Sequence, residues 1–124
     1  MLIRSKVVSN PKLSKREMAD RMERRVADQL SMGLTVNSGA YNDDADLKDN
    51  FSVAECKYIS SKNINVSRIV FRKLTKQRKQ WHRPMCFVAT TIETSKDDED
   101  DTFITIPLSM FARLYHAYKC PEQL

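Results

Sequence analysis

The chain has 124 residues, of which 41% are hydrophobic and 30% charged, and its formal net charge is +5. That length closes one hydrophobic core and is short for two, so a single domain over residues 1–124 is expected, with residues 1–13 as an N-terminal arm. No apolar run approaches the length of a membrane span, and the leading MLIRSKVVS is too short and too polar for a signal peptide.

The three cysteines, Cys56, Cys86 and Cys120, lack C-x-x-C spacing. They read as free thiols of a reducing cytoplasm, with neither a disulfide framework nor a zinc site. The charge is segregated. Residues 66–84 hold seven Lys and Arg and no acid, whereas residues 93–101 are largely acidic. Such a division favours a basic nucleic-acid-binding face, the alternative being a solvated basic helix.

In chain order, Ser14 and Glu17 form an S-x-x-E capping box that opens a helix running to about residue 31. Met18, Met22, Val26 and Leu30 form its apolar stripe, Glu23 borders that stripe, and Gly33 is expected to stop the helix. A short strand candidate at residues 34–37 leads into the polar loop Ser38-Gly39-Ala40 and the Asn-Asp-Asp cluster after it. Asp46 and Leu47 begin one arm of a β-hairpin, residues 48–50 turn, and residues 51–58 return as the other arm.

Residues 66–83 predict a second helix, with Val66, Val70, Leu74 and Trp81 on its apolar face and Ile69 at the edge. Arg68, Arg72, Lys76, Lys79 and Arg83 make a separate basic stripe. Pro84 ends the helix, and residues 85–92 form an apolar and threonine-rich run suited to a buried strand. An acidic loop leads to a strand over 102–106, and Leu108, Phe111, Leu114, Tyr115 and Tyr118 outline a final amphipathic helix. The fold class is therefore α/β, with a mixed central sheet flanked by helices.

The chemistry centres on the hairpin. Side chains alternate along a strand, so Glu55 and Lys57 share one side, roughly 7 Å apart, while Cys56 points the other way. A hard cation such as Mg²⁺ takes a few carboxylate oxygens and leaves room for phosphate. Asp46 and Glu55, on the two hairpin arms, could supply those oxygens, and Lys57 could orient a water or stabilise phosphoryl charge. The alternative is a surface Glu-x-Lys pair on a solvated strand. His82 and His116 are too isolated for a histidine-metal site, and two glycines are too few for a phosphate-cradling loop. Trp81 lies on the apolar side and reads as core.

Several features occur together and in order: Glu23 followed by RRVADQL, the Asn37-Ser38-Gly39-Ala40 loop, Asp46-Leu47-Lys48 and Ala54-Glu55-Cys56-Lys57. They continue with Ser67-Arg68-Ile69 opening the next helix, Leu74-Thr75-Lys76 inside it, and Arg83-Pro84 before the next strand. In this series the chain resembles the PD-(D/E)XK nuclease superfamily, and within it the small Holliday-junction resolvases of archaea and bacteriophages. The resemblance implies a restriction-endonuclease-like core and a metal-dependent endonuclease acting on four-way DNA junctions. Alternatives are a same-fold nuclease of flaps or duplex DNA and a non-catalytic DNA-binding protein.

It also implies that Glu23, Asp46 and Glu55, with the backbone carbonyl of Cys56, hold Mg²⁺, for which Mn²⁺ would substitute. Lys57 would be the signature lysine, and Ser38 would sit near the scissile phosphate. Ala45 stands where the superfamily pattern has proline, and Asp43 and Asp44 compete with Asp46 for its role. DNA would be contacted by Arg68, Arg72, Lys76, Lys79 and Arg83. Symmetric cleavage of a junction needs two active sites and hence a two-fold homodimer, for which the last helix and the N-terminal arm offer candidate surfaces. The expected compartment is the cytoplasm, that of the host if the source is a phage.

Overall fold

Ser14 caps the first helix as its sequence requires: its hydroxyl accepts from the Glu17 amide at 3.1 Å while its own amide donates to the Glu17 carboxylate at 3.0 Å. A computed structural model describes residues 13–35, 45–93 and 101–121. Its elements in order are α1 (Lys15–Leu30), β1 (Gly33–Leu34), β2 (Leu47–Lys48), β3 (Ser52–Ile59), α2 (Arg68–Gln80), β4 (Met85–Ile92), β5 (Thr102–Thr105) and α3 (Leu108–Lys119). The strands form one mixed sheet in the order β1-β2-β3-β4-β5, in which only β3 and β4 run parallel. The α/β class is as expected, with the element order of a restriction-endonuclease-like core. No helix among the described residues is long and apolar enough to cross a membrane.

The parallel pair is the centre of the molecule, because α2 forms the crossover that joins β3 to β4. Its residues are accordingly the most buried: Val53, Ala54, Cys86, Val88 and Ala89 are almost fully shielded. Met22, Val26 and Ala27 close the core from α1, and Leu74 does so from α2. The Arg25 guanidinium ties α1 to the sheet, donating to the hydroxyls of Thr91 at 3.3 Å and Thr102 at 2.6 Å. All three cysteines are free.

Four local expectations change. The left-handed residue ending α1 is Ser31, with φ 56°, and not Gly33. Gly33 already belongs to β1, where an added Cβ would lie 3.4 Å from the Lys48 carbonyl, an ordinary contact. Helix α2 begins after Ser67, whose hydroxyl accepts from the Ile69 amide at 3.0 Å, and ends at Gln80. It is thus shorter at both ends than residues 66–83, because the Ser67 cap sets its start and His82 takes φ 55° beyond its end. Trp81 is half-buried and carries the Lys48 ammonium 3.8 Å above its ring, so it is a covered edge and not deep core.

The last helix forms where expected. Leu108, Phe111, Leu114, Tyr115 and Tyr118 are all exposed, whereas α3 is anchored by buried Met110. The Met110 sulfur accepts from the Cys86 amide at 3.3 Å. The N-terminal arm up to residue 12, Ser38 with its loop, Asp43 and Asp44, and the acidic segment over 94–100 lie outside the described residues.

Candidate active site

The hairpin register fixes the first two carboxylates. Leu47 pairs with Ala54 and Lys48 with Val53 in antiparallel register, which sets Asp46 opposite Glu55 one step beyond the paired residues. The Asp46 side chain is held there by the Cys56 amide, which donates to its Oδ2 at 2.8 Å. Its backbone carbonyl accepts from Thr35 at 2.9 Å, anchoring the same residue to the chain after β1. Strand β2 has two residues and β3 eight, so among the described residues the second half of β3 pairs with β4 alone. Asp46 therefore stands at the fork where β2 leaves the sheet.

Helix α1 lies against β3 and brings Glu23 to this fork. Burial, reinforced by the charges of Asp46, Asp20 and Glu55, pushes the Glu23 carboxyl up from 4.5 to about 7. Glu55 is raised as well, by burial and by Asp46, against the opposing pull of Lys73, Lys57 and a hydrogen bond from the Asp46 backbone. The Lys57 ammonium lies 3.7 Å from Glu55 Oε2. Burial and the same three carboxylates also raise the Cys56 thiol, which keeps it protonated and makes thiolate chemistry a poor use of this site.

The fold thus gathers Glu23, Asp46, Glu55, Cys56 and Lys57 from three separate elements. Ser38 is outside the described residues. Among the described residues, no group of three or more His, Cys, Asp or Glu side chains is arranged so that it could hold a metal ion as it stands. In the kind of its donors, all carboxylate oxygens, the set suits a hard divalent cation. Among the described residues Glu55 Oε1 is buried without a hydrogen-bond partner, and the Asp46 carboxylate repels it, a charge that Mg²⁺ or Mn²⁺ would balance.

Lys73 was not singled out by the sequence pattern, yet it faces Glu55 from α2. Its signal was available: it lies three residues after Val70 and seven after Val66, inside the apolar stripe, where a lysine needs a buried partner. On the outer side of α2, exposed Arg68, Arg72, Lys76 and Lys79 line a groove together with Val66, Phe71 and Thr75. Arg83 stands apart from that groove. Its guanidinium is directed at the backbone carbonyls of Asp49, at 2.5 Å, and Trp81, where it holds the hairpin turn against the end of α2.

Comparison with known protein families, curated proteins and solved structures finds no match.

Proposed function

We propose that the protein is a metal-dependent DNA endonuclease, with four-way junctions as its substrate. The observation that carries this is the grouping of Glu23, Asp46 and Glu55 about the fork of β2 and β3, where burial first, and then the charges of Asp46, Asp20 and Glu55, raise the Glu23 carboxyl to about 7. A cluster of carboxylates that burdens its own protonation equilibria is a site arranged for a cation. Glu23, Asp46 and Glu55 would hold Mg²⁺, with the Cys56 carbonyl as a further oxygen donor. When bound, the ion supplies Lewis acidity at a phosphodiester and a lowered pKa for attacking water.

The chain's own groups do the rest. The Cys56 amide fixes one oxygen of Asp46 and so orients the other. Lys57, beside Glu55, places a positive charge where the pentavalent phosphate accumulates negative charge. Lys73 offsets the charge of Glu55 from behind and keeps that carboxylate available as an oxygen donor. Arg68, Arg72, Lys76 and Lys79 provide a basic groove for the phosphate backbone. Two cuts across one junction need two such sites, and we place the second copy against the exposed apolar residues of α3.

The test is incubation of four-way junction, flap and linear duplex DNA with the protein, in Mg²⁺ and in chelator. Metal-dependent cleavage with the junction preferred is the expected result. Preference for flap or duplex would move the protein to another nuclease of this fold. Binding without cleavage of any substrate would leave a DNA-binding protein and overturn the enzymatic assignment.

A further inference from the structure

Strand register places Lys57 directly beside Thr90, on the side of the sheet covered by α2. Even-numbered residues of β4 face that helix: Cys86 meets Thr75 and Arg78, and Val88 and Thr90 share a cavity with Val66 and Val70. The cavity is about 200 Å³ and is completed by Lys57, Ile59, Asn65 and Ser67. Its size is below the roughly 300–1,000 Å³ of sites for whole small molecules, so it suits a single compact group.

Two independent features give this cavity a polarity. The first is the N-terminus of the 13-residue helix α2, the positive end of its dipole, whose first turn carries no acidic residue and whose Ile69 amide is capped by the Ser67 hydroxyl. The second is Thr90 itself, 1% exposed, whose hydroxyl oxygen has no hydrogen-bond partner among the described residues. A buried hydroxyl left unpaired in the centre of a sheet is costly unless something is to meet it there. Lys57 stands between this cavity and Glu55, with its ammonium 3.7 Å from the carboxylate. A threonine, an asparagine and a lysine line the cavity beside the positive end of a helix dipole, and an oxyanion is the chemistry they share.

We infer that the cavity is a subsite for a backbone phosphate of the bound DNA strand, adjacent to the one that is cut. This rests on the endonuclease assignment for the identity of the ligand, though not for the anion-binding property of the cavity. Lys57 then serves both places, bridging the carboxylate cluster and the neighbouring phosphate. Thr90 positions that phosphate and touches no reacting atom.

The experiment is a metal-free titration of the ¹⁵N-labelled protein with inorganic phosphate, followed by amide shifts and repeated with T90V, T90S and N65A. In the wild type, shifts should concentrate at residues 67–69 and 90. T90V should fold normally, since it removes an unpaired polar group, and should bind phosphate about tenfold more weakly, the loss of one hydrogen bond to a charged group. T90S should restore binding, and N65A, at an exposed position, should weaken it. Shifts confined to Arg72, Lys76 and Lys79, or equal affinity in T90V and wild type, would overturn the inference. In junction cleavage T90V should raise KM more than it lowers kcat. Phosphate binding at Thr90 in a protein that cuts no DNA would remove the endonuclease assignment and leave the anion site. Metal-dependent cleavage with a phosphate response unchanged in T90V would do the reverse.

Discussion

Replacing Glu23 with Gln should stabilise the metal-free protein at alkaline pH and flatten its stability profile. The folded chain holds the Glu23 proton up to about pH 7, whereas a free glutamate loses it near 4.5. Between those values the folded state binds more protons than the unfolded state, so stability falls as pH rises through the window. A displacement of that size corresponds to at most about 3.4 kcal/mol. Glu23 is only half-buried, and solvent screening reduces the usable part to about 1–2 kcal/mol. For a chain of this length that is a rise of about 3–8 °C in Tm at pH 8, with little change at pH 4. Some slope should persist in the variant because Glu55 is raised in the same sense. Thermal unfolding followed by circular dichroism from pH 4 to 8 measures both quantities. The same scans with Mg²⁺ should show the wild type stabilised most above pH 7, where the carboxylates are charged, and the variant stabilised less. A lower Tm for Glu23→Gln at pH 8, or a pH profile parallel to wild type, would refute the electrostatic account of the cluster.

Other outcomes follow from separate parts of the molecule. Arg72→Ala and Lys76→Ala should each weaken duplex binding and reduce the salt slope of log K by about 0.9, read by fluorescence anisotropy across a salt series. Lys73→Met removes a charge that lowers Glu55. It should shift the acidic limb of the pH–rate profile upward, with DNA affinity nearly unchanged. Met110→Ala, at the buried anchor of α3, should cost about 2–4 kcal/mol in chemical denaturation. Leu114→Glu, on the exposed face of the same helix, should leave stability intact and shift sedimentation toward monomer.

What the sequence disclosed follows the range of the forces involved. The start of α1 is local, written in Ser14 and Glu17, and β4 is a continuous apolar run bounded by Pro84. Both are found where expected. The hairpin that sets Asp46 opposite Glu55 was equally legible, since Asp49 turns the chain by accepting from the amides of Phe51 and Ser52, each at 2.8 Å. Non-local features were not. The apolar residues of α3 indicate a helix with one greasy face but not what that face meets, and here it meets solvent while Met110 makes the anchor. The place of Lys73 in the apolar stripe of α2 marks it as a lysine in need of a partner but does not name that partner. Only the packing of α2 on β3 shows that this one faces Glu55. Thr90 reads as an ordinary strand threonine until the register sets it beside Lys57.

The most direct test of the central claim is cleavage of one labelled four-way junction by wild type, Asp46→Asn and Glu55→Gln, side by side in Mg²⁺, with each variant's folding checked by circular dichroism. We predict that the wild type cuts only with metal present, and that both variants remain folded and bind the junction but lose at least about a hundredfold in cleavage rate. Full cleavage by either folded variant would contradict the assignment of these carboxylates to a hydrolytic metal centre.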